Sequence, residues 1–358
     1  MNAFGRKFRI SVFGESHGAA VGAVLDGVPA GTELDEQDLE RDLIRRKSGA
    51  FGTTQRKEED RPQILSGVLG GHATGAPLAI VFRNRDVRSS DYTLFKEVPR
   101  PGHADFVAGV KWHDFNDPRG GGHFSGRLTL PVVAAGAVAK KILSPKMTVS
   151  ACLVSVGGVG RAEALARAME RGAASDGPDE NIGSGDPSQC RFSDSELWRP
   201  ELESALAEGD SLGGVCECTA TGVPVGLGEP FFDSVESLIS HAVFSIPGVR
   251  GIEFGDGFRA ASMRGSEHND PIVSADGRSP RNGAGGVNGG ITNGNPLVFR
   301  VAFKPTSSIR KLQHTYNFTS GKVEDLEIPG RHDVCFALRS PVIVEAMTAL
   351  VLADLSLL

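Results

Sequence analysis

The chain has few aromatic residues, no paired cysteine motif, no surplus of basic charge and no apolar run long enough to span a membrane. Each shortage closes off a class of function. Phe, Trp and Tyr make up 6% of the 358 residues, too few for a platform on which nucleic-acid bases would stack. Lys and Arg number 38 against 44 Asp and Glu, a net charge of −6, so no global positive field draws in a phosphate backbone. Five cysteines, Cys152, Cys190, Cys216, Cys218 and Cys335, are odd in number and lack C-x-x-C spacing. That pattern points to reduced thiols and a cytoplasmic protein, not to a disulfide framework or a zinc site. The first residues carry Arg6, Lys7 and Arg9 but run into Gly14-Glu15-Ser16-His17 without the apolar stretch of a signal peptide. Neither nucleic acid nor membrane is expected as a partner.

Glycine is abundant, with 46 residues, which suggests tight turns and loops pressed against ligands. The richest stretch runs from Arg100-Pro101-Gly102-His103-Ala104-Asp105 to Arg119-Gly120-Gly121-Gly122-His123-Phe124-Ser125-Gly126-Arg127. Its glycines can bend close to a ligand, and the helix expected over 132–143 begins just beyond it. A helix start attracts anions through its unpaired N–H groups, and Ser125 and Arg127 add donors. An anion site is the reading; a flexible loop with solvated arginines is the plain alternative.

Strands are expected over 8–13, 20–25, 63–69, 78–82, 147–156, 214–222 and 296–303. Helices are expected from Asp35, with Leu39, Leu43 and Ile44 on one side, and over 105–113, 162–169, 202–207, 233–243 and 342–355. The order strand, Gly157-Gly158-Val159-Gly160, helix imitates a dinucleotide site. Glu163 falls where pyrophosphate would approach, so that reading is rejected. Residues 172–190 look like a surface excursion from a single domain spanning 1–358. Gly222-Val223-Pro224-Val225-Gly226 before one helix echoes Gly27-Val28-Pro29-Ala30-Gly31 before another, and two related βα halves follow as an inference.

The ionic residues gather beside glycine: Arg45, Arg46, Arg100, Arg119, Arg127 and Arg331, with His17, His103, His332 and Asp333. Arginine pairs in a fixed fork with carboxylate or phosphate, and histidine titrates near neutral pH. Such a set suits a polyanion that must also exchange protons. A lone loop histidine such as His17 is more often capped or solvent-facing, and cations ending a helix, such as Arg45 and Arg46, are ordinary.

Six segments, Gly14-Glu15-Ser16-His17-Gly18, Arg100-Pro101-Gly102-His103-Ala104-Asp105, Gly251-Ile252-Glu253-Phe254-Gly255-Asp256-Gly257-Phe258, Gly289-Gly290-Ile291-Thr292-Asn293-Gly294, Lys304-Pro305-Thr306-Ser307-Ser308-Ile309 and Gly330-Arg331-His332-Asp333, resemble the chorismate synthase family in that family's order. The resemblance spans nearly the whole chain. It implies an α+β fold, the β-α-β sandwich of chorismate synthase type, assembled as a homotetramer. It further implies a carbon–oxygen lyase of the shikimate pathway that converts 5-enolpyruvylshikimate 3-phosphate to chorismate and phosphate by anti-1,4-elimination. The cofactor implied is reduced FMN, reduced at the expense of NADPH by a separate reductase, since no added dinucleotide domain is visible.

By the same resemblance, His17 protonates the departing phosphate, His103 protonates the reduced flavin, and Asp333 helps collect the ring proton. Arg46, Arg100, Arg127 and Arg331 hold the substrate, while Ser125, Gly126, Gly290, Lys304 and Ser308 hold FMN. Anionic surroundings are expected to keep both histidines charged. The chain departs from the family in His123-Phe124-Ser125-Gly126-Arg127, where Arg-Ser-Ser-Ala-Arg is usual, and in Phe51-Gly52, where an arginine is expected. Two other readings are a metal-dependent phosphohydrolase using His17, His103, His113 and His123, and a non-catalytic flavin or phosphosugar binder.

Overall fold

Strands form where apolar residues alternate. Val21, Ala23 and Leu25 point inward from one strand and Leu297, Phe299, Val301 and Phe303 from another, all buried, which is the period of a sheet with one face on a core. A computed structural model describes residues 2–54, 59–85, 94–170, 194–328, 330 and 332–358. Its scaffold elements are β1 (Arg9–Gly14), β2 (Ala20–Asp26), α1 (Glu36–Arg46), β3 (Gln63–Ser66), β4 (Leu78–Arg83) and α2 (Thr129–Ile142). The same series then recurs as β5 (Thr148–Val156), β6 (Gly214–Thr221), α3 (Val235–Val243), β7 (Val249–Phe254), β8 (Leu297–Phe303) and α4 (Pro341–Leu357). Strand order repeats as well: β1-β2-β4-β3 in one sheet and β5-β6-β8-β7 in the other, with every pairing antiparallel.

The sequence echo is thus a structural one. Gly27 (φ +83) and Gly222 (φ +67) each follow the second strand of their half. A Cβ there would lie 1.7 Å from the Lys7 carbonyl oxygen in one case and 1.8 Å from that of Lys146 in the other, so no other residue fits either corner.

Helix α2 lies on the first sheet and α4 on the second, and the two pack face to face in the middle, flanked by α1 and α3. At their crossing a Cβ on Gly136 would stand 2.3 Å from the Ala346 Cβ, so the missing side chain sets how closely the halves approach. Residues Pro341 to Leu355 of α4 are all buried, which explains why that helix is apolar on every side. Its two buried acids are fully engaged. Glu345 accepts from both terminal nitrogens of Arg45 (2.7 and 2.6 Å), from Lys140 Nζ (2.8 Å) and from the Ala151 N–H (2.9 Å). Asp354 accepts the backbone N–H groups of Arg6, Lys7 and Phe8 at 2.6–2.9 Å, pinning the chain as it enters β1.

Helix α1 starts as expected, with Asp35 and Asp38 forming a reciprocal capping box. Ile44, however, is 61% exposed. The buried stripe runs through Leu39, Leu43 and Arg46, because the helix turns its last residue into the site described below. The strand expected over 63–69 ends at Ser66; beyond Gly67, Val68–Leu69 pairs instead with His72–Ala73. Strand β5 pairs antiparallel with β6 and with the short strand Val159–Gly160, so no parallel βαβ unit surrounds Gly158. The excursion 172–190 lies outside the described residues. Cys216, Cys218 and Cys335 are free and buried, and burial pushes the Cys218 thiol up to about 12.

Candidate active site

The turn between β1 and β2 carries His17. Asn84 Nδ2 donates to the Glu15 and Gly18 carbonyls (3.1 and 2.8 Å), and Arg127 Nε donates to Asn84 Oδ1 (3.0 Å), so one relay fixes both the turn and an arginine. The Ser16 N–H donates to the Gly122 carbonyl (3.1 Å), stitching this turn to the glycine loop. His17 itself is 8% exposed and packs directly against Gly120. A Cβ on Gly120, where φ is +60, would lie 2.5 Å from His17 Cδ2 and 2.6 Å from Nε2. The glycine is needed to leave room for the imidazole.

His103 is held from behind. Its Nδ1 lies 2.6 Å from Asp105 Oδ1, a contact that requires a proton on Nδ1, since two lone pairs at that distance would repel. The other nitrogen is left to face the cavity, with Nε2 beside Gly121. Arg100 grips the same Asp105 through Nε (2.7 Å) and NH2 (2.8 Å), donates to Ser308 Oγ (3.1 Å) and lies over the Phe95 ring at 4.5 Å. Burial alone would raise the Asp105 pKa, but the Arg100 hydrogen bonds and His103 hold it well below the usual carboxylate range. Burial pushes His103 below its ordinary value. Asp105 opposes that shift, while Arg100 and Lys304 reinforce it. The expectation that anionic surroundings keep His103 charged is therefore corrected: its immediate neighbours include two cations.

A cavity of about 1100 Å³ opens between the loop that precedes α2 and the loop that precedes α4. Ser16, Arg46, His103, Gly120, Ser125, Gly126, Arg127, Lys304 and Asp333 all line it. Arg46 is buried, donating through Nε to Thr129 Oγ1 (2.9 Å) and through NH2 to the Gly126 carbonyl (2.7 Å). Burial, together with the adjacent guanidiniums of Arg339 and Arg127, pushes its pKa down to about 9. Cations crowded this closely favour a bound anion. Asp333 accepts from the Thr54 N–H (2.8 Å) and from Arg339 NH2 (2.7 Å). Gly52 clamps the same loop, its carbonyl accepting the N–H groups of Val334 (2.9 Å) and Cys335 (3.1 Å). Lys304 Nζ donates to the Gly102 carbonyl (2.7 Å), which also accepts from Ser307 Oγ (2.8 Å).

Other expected residues lie elsewhere. Arg100 and Ser308 do not line the cavity; they stand one layer behind His103, because Asp105 claims the guanidinium and the guanidinium claims the hydroxyl. Gly290 is likewise absent from the wall. Its carbonyl accepts the Val235 N–H (3.0 Å) at the start of α3. Arg331 lies outside the described residues. Arg45 turns away to Glu345, and Arg119 pairs with Asp117 on the surface (2.7 Å). Arg339, Asp105 and Asp60 were not anticipated. The first two had a signal, an arginine in the turn that leads into α4 and the final residue of the Arg100–Asp105 motif; Asp60 had none. Among the described residues no group of three His, Cys, Asp or Glu is arranged to hold a metal ion, and His113 is exposed.

Buried guanidiniums, a held carboxylate and the imidazole of His103 around one hollow, with His17 outside the lining but packed against its wall at Gly120, define an enzyme site for a small polyanion whose conversion moves protons. Comparison with known proteins gives the family. The profile described as Chorismate synthase matches residues 8–357. The chorismate synthase of Chitinophaga pinensis is 56% identical over 358 residues, covering 100% of this chain and 97% of its own length. That of Korarchaeum cryptofilum is 48% identical over 356 residues, covering 98% and 96%. A crystal structure of chorismate synthase aligns with a TM-score of 0.71 at 29% identity, over 99% of this chain and 93% of that one. The chain belongs to the chorismate synthase family and is a lyase of the shikimate pathway with the α+β fold of that family.

Proposed function

We propose that the cavity binds 5-enolpyruvylshikimate 3-phosphate beside reduced FMN and expels phosphate and a ring proton in the anti-1,4 sense, leaving chorismate. The observation that carries this reading is the gathering of Arg46, Arg127, Arg339, Asp333 and His103 on one wall system, with His17 against Gly120. A substrate with one phosphate and two carboxylates needs such a cluster of cations.

The hollow also fits the cofactor. Pockets for single small ligands run to roughly 1000 Å³ at most, and this one, at about 1100 Å³, is polar at the arginines and apolar along Ile10, Val12, Val132, Met347 and Leu350. Lys304, Ser125 and Gly126 would hold FMN. When bound, FMN lends an electron to a redox-neutral elimination and recovers it, which no side chain can do.

The chain's own groups manage charge and protons. Arg46 and Arg127 grip the acidic groups of the substrate, a role Arg331 shares. His17 gives a proton to the departing phosphate, since a less charged leaving group departs more easily. Asp333, held in place by the Thr54 N–H and Arg339, helps collect the ring proton. Arg100 and Asp105 fix the tautomer of His103, whose Nε2 serves the cavity, and bound anions beside it restore the charged form that a proton donor needs. In this reading the chain works as one domain within a homotetramer in the cytoplasm, with a separate NADPH-dependent reductase supplying reduced flavin. No described helix is long and apolar enough to cross a membrane.

The test is phosphate release from the substrate under anaerobic conditions. Release should require reduced FMN; release at full rate with oxidised FMN or without flavin would overturn the reading.

A further inference from the structure

A carboxylate of the chain sits on the arginines that line the cavity. Asp60 Oδ1 accepts a short hydrogen bond from Arg127 NH1, and its Oδ2 lies 3.7 Å from Arg46 NH1. Asp60 lines the same hollow, with a side chain only 6% exposed. Its φ is +52, a conformation that residues other than glycine adopt at a cost and that persists only when the surroundings enforce it. Backbone preference therefore does not explain the placement of Asp60, whereas the two guanidiniums do.

Arg46, Arg127 and Arg339 repel one another, and Asp60 offsets part of that repulsion. An acidic ligand that engages NH1 of Arg46 and of Arg127 competes for the position the carboxylate now holds. We propose that Asp60 is an internal counter-anion: it neutralises the arginine cluster in the ligand-free protein and competes with the acidic groups of the substrate for Arg46 and Arg127. The competition selects by charge. A ligand with a dianionic group, or with several acids, displaces one carboxylate readily, whereas a simple monoanion gains too little to do so. This inference rests on reading the cavity as the site of an acidic substrate.

Inorganic phosphate, titrated calorimetrically into the full chain without flavin, provides the test. D60N should bind phosphate roughly tenfold more tightly than the parent, the equivalent of about 1.4 kcal/mol, and adding Arg127→Ala should abolish the gain. Unchanged or weaker binding by folded D60N would overturn the proposal. Should D60N fail to fold, crystals of the parent protein soaked in phosphate decide the matter. Phosphate between Arg46 and Arg127 with Asp60 displaced supports the proposal, and Asp60 still bonded to Arg127 beside bound phosphate, or no phosphate on these arginines, contradicts it. Tighter phosphate binding by D60N, together with a parent protein that never releases phosphate from the shikimate substrate, would sink the proposed function and leave this inference standing.

Discussion

The two halves of the molecule share strand order, helix order and even the glycine corner after the second strand, yet they differ in what joins their first two strands. In the first half that connection is the tight turn Glu15-Ser16-His17-Gly18. In the second, residues 157–213 take its place, and among the described residues they supply nothing to the cavity wall. By contrast, the loop before the last helix serves the site in both halves, giving His103, Ser125 and Arg127 in one and Lys304, Asp333 and Arg339 in the other. The scaffold therefore fixes where chemistry can sit, and the loop sequences decide which proton-handling group sits there.

The largest expected effect falls on the turn found only in the first half. His17→Ala should lower turnover roughly 100- to 10,000-fold while flavin still binds, measured by steady-state phosphate release alongside a flavin titration. Gly120→Ala should approach the same loss, because its Cβ would occupy the space of the imidazole. Turnover unchanged in His17→Ala would erase the distinction drawn between the halves.

Next come substitutions that test how the halves are joined. Glu345→Ala strips a buried carboxylate from Arg45 and Lys140, which keep only Asp42, and leaves the Ala151 N–H unpaired; it should cost about 1–3 kcal/mol in urea denaturation. Gly136→Ala forces α2 and α4 apart and should cost about 1–3 kcal/mol. Equal stability of Gly136→Ala and the parent would show that the crossing has slack.

The smallest effect is a slope with pH. Because the His103 pKa is lowered on folding, protonation favours the unfolded chain. Its contribution to stability is therefore present above the ordinary histidine value of about 6.5 and is lost as pH falls below it. His103→Gln should flatten that part of the stability profile, and identical slopes in both proteins would contradict the shift.

Much of this arrangement was legible in the residues, and what was not has physical causes. Strands with period-two burial, the Asp35 cap and the apolar last helix could be read because local pattern dictates them. The echo of two glycine corners was legible too, though only the sheets show that it extends to whole halves. Arg100 and Ser308 could not be ranked from sequence, since which partner a guanidinium chooses depends on Asp105 folding back beside it. Gly290 could not be placed from sequence either, because a glycine beside a ligand and a glycine whose carbonyl caps a helix look alike in one dimension. Asp60 was invisible for a similar reason: nothing in a polar loop reveals that one of its acids is folded onto two distant arginines.

The most direct test of the central claim is anaerobic single-turnover mixing of the flavin-loaded enzyme with 5-enolpyruvylshikimate 3-phosphate, following flavin absorbance and phosphate together. The absorbance of reduced FMN should change and return during phosphate loss. Phosphate appearing at full rate while the flavin stays spectroscopically silent would contradict it.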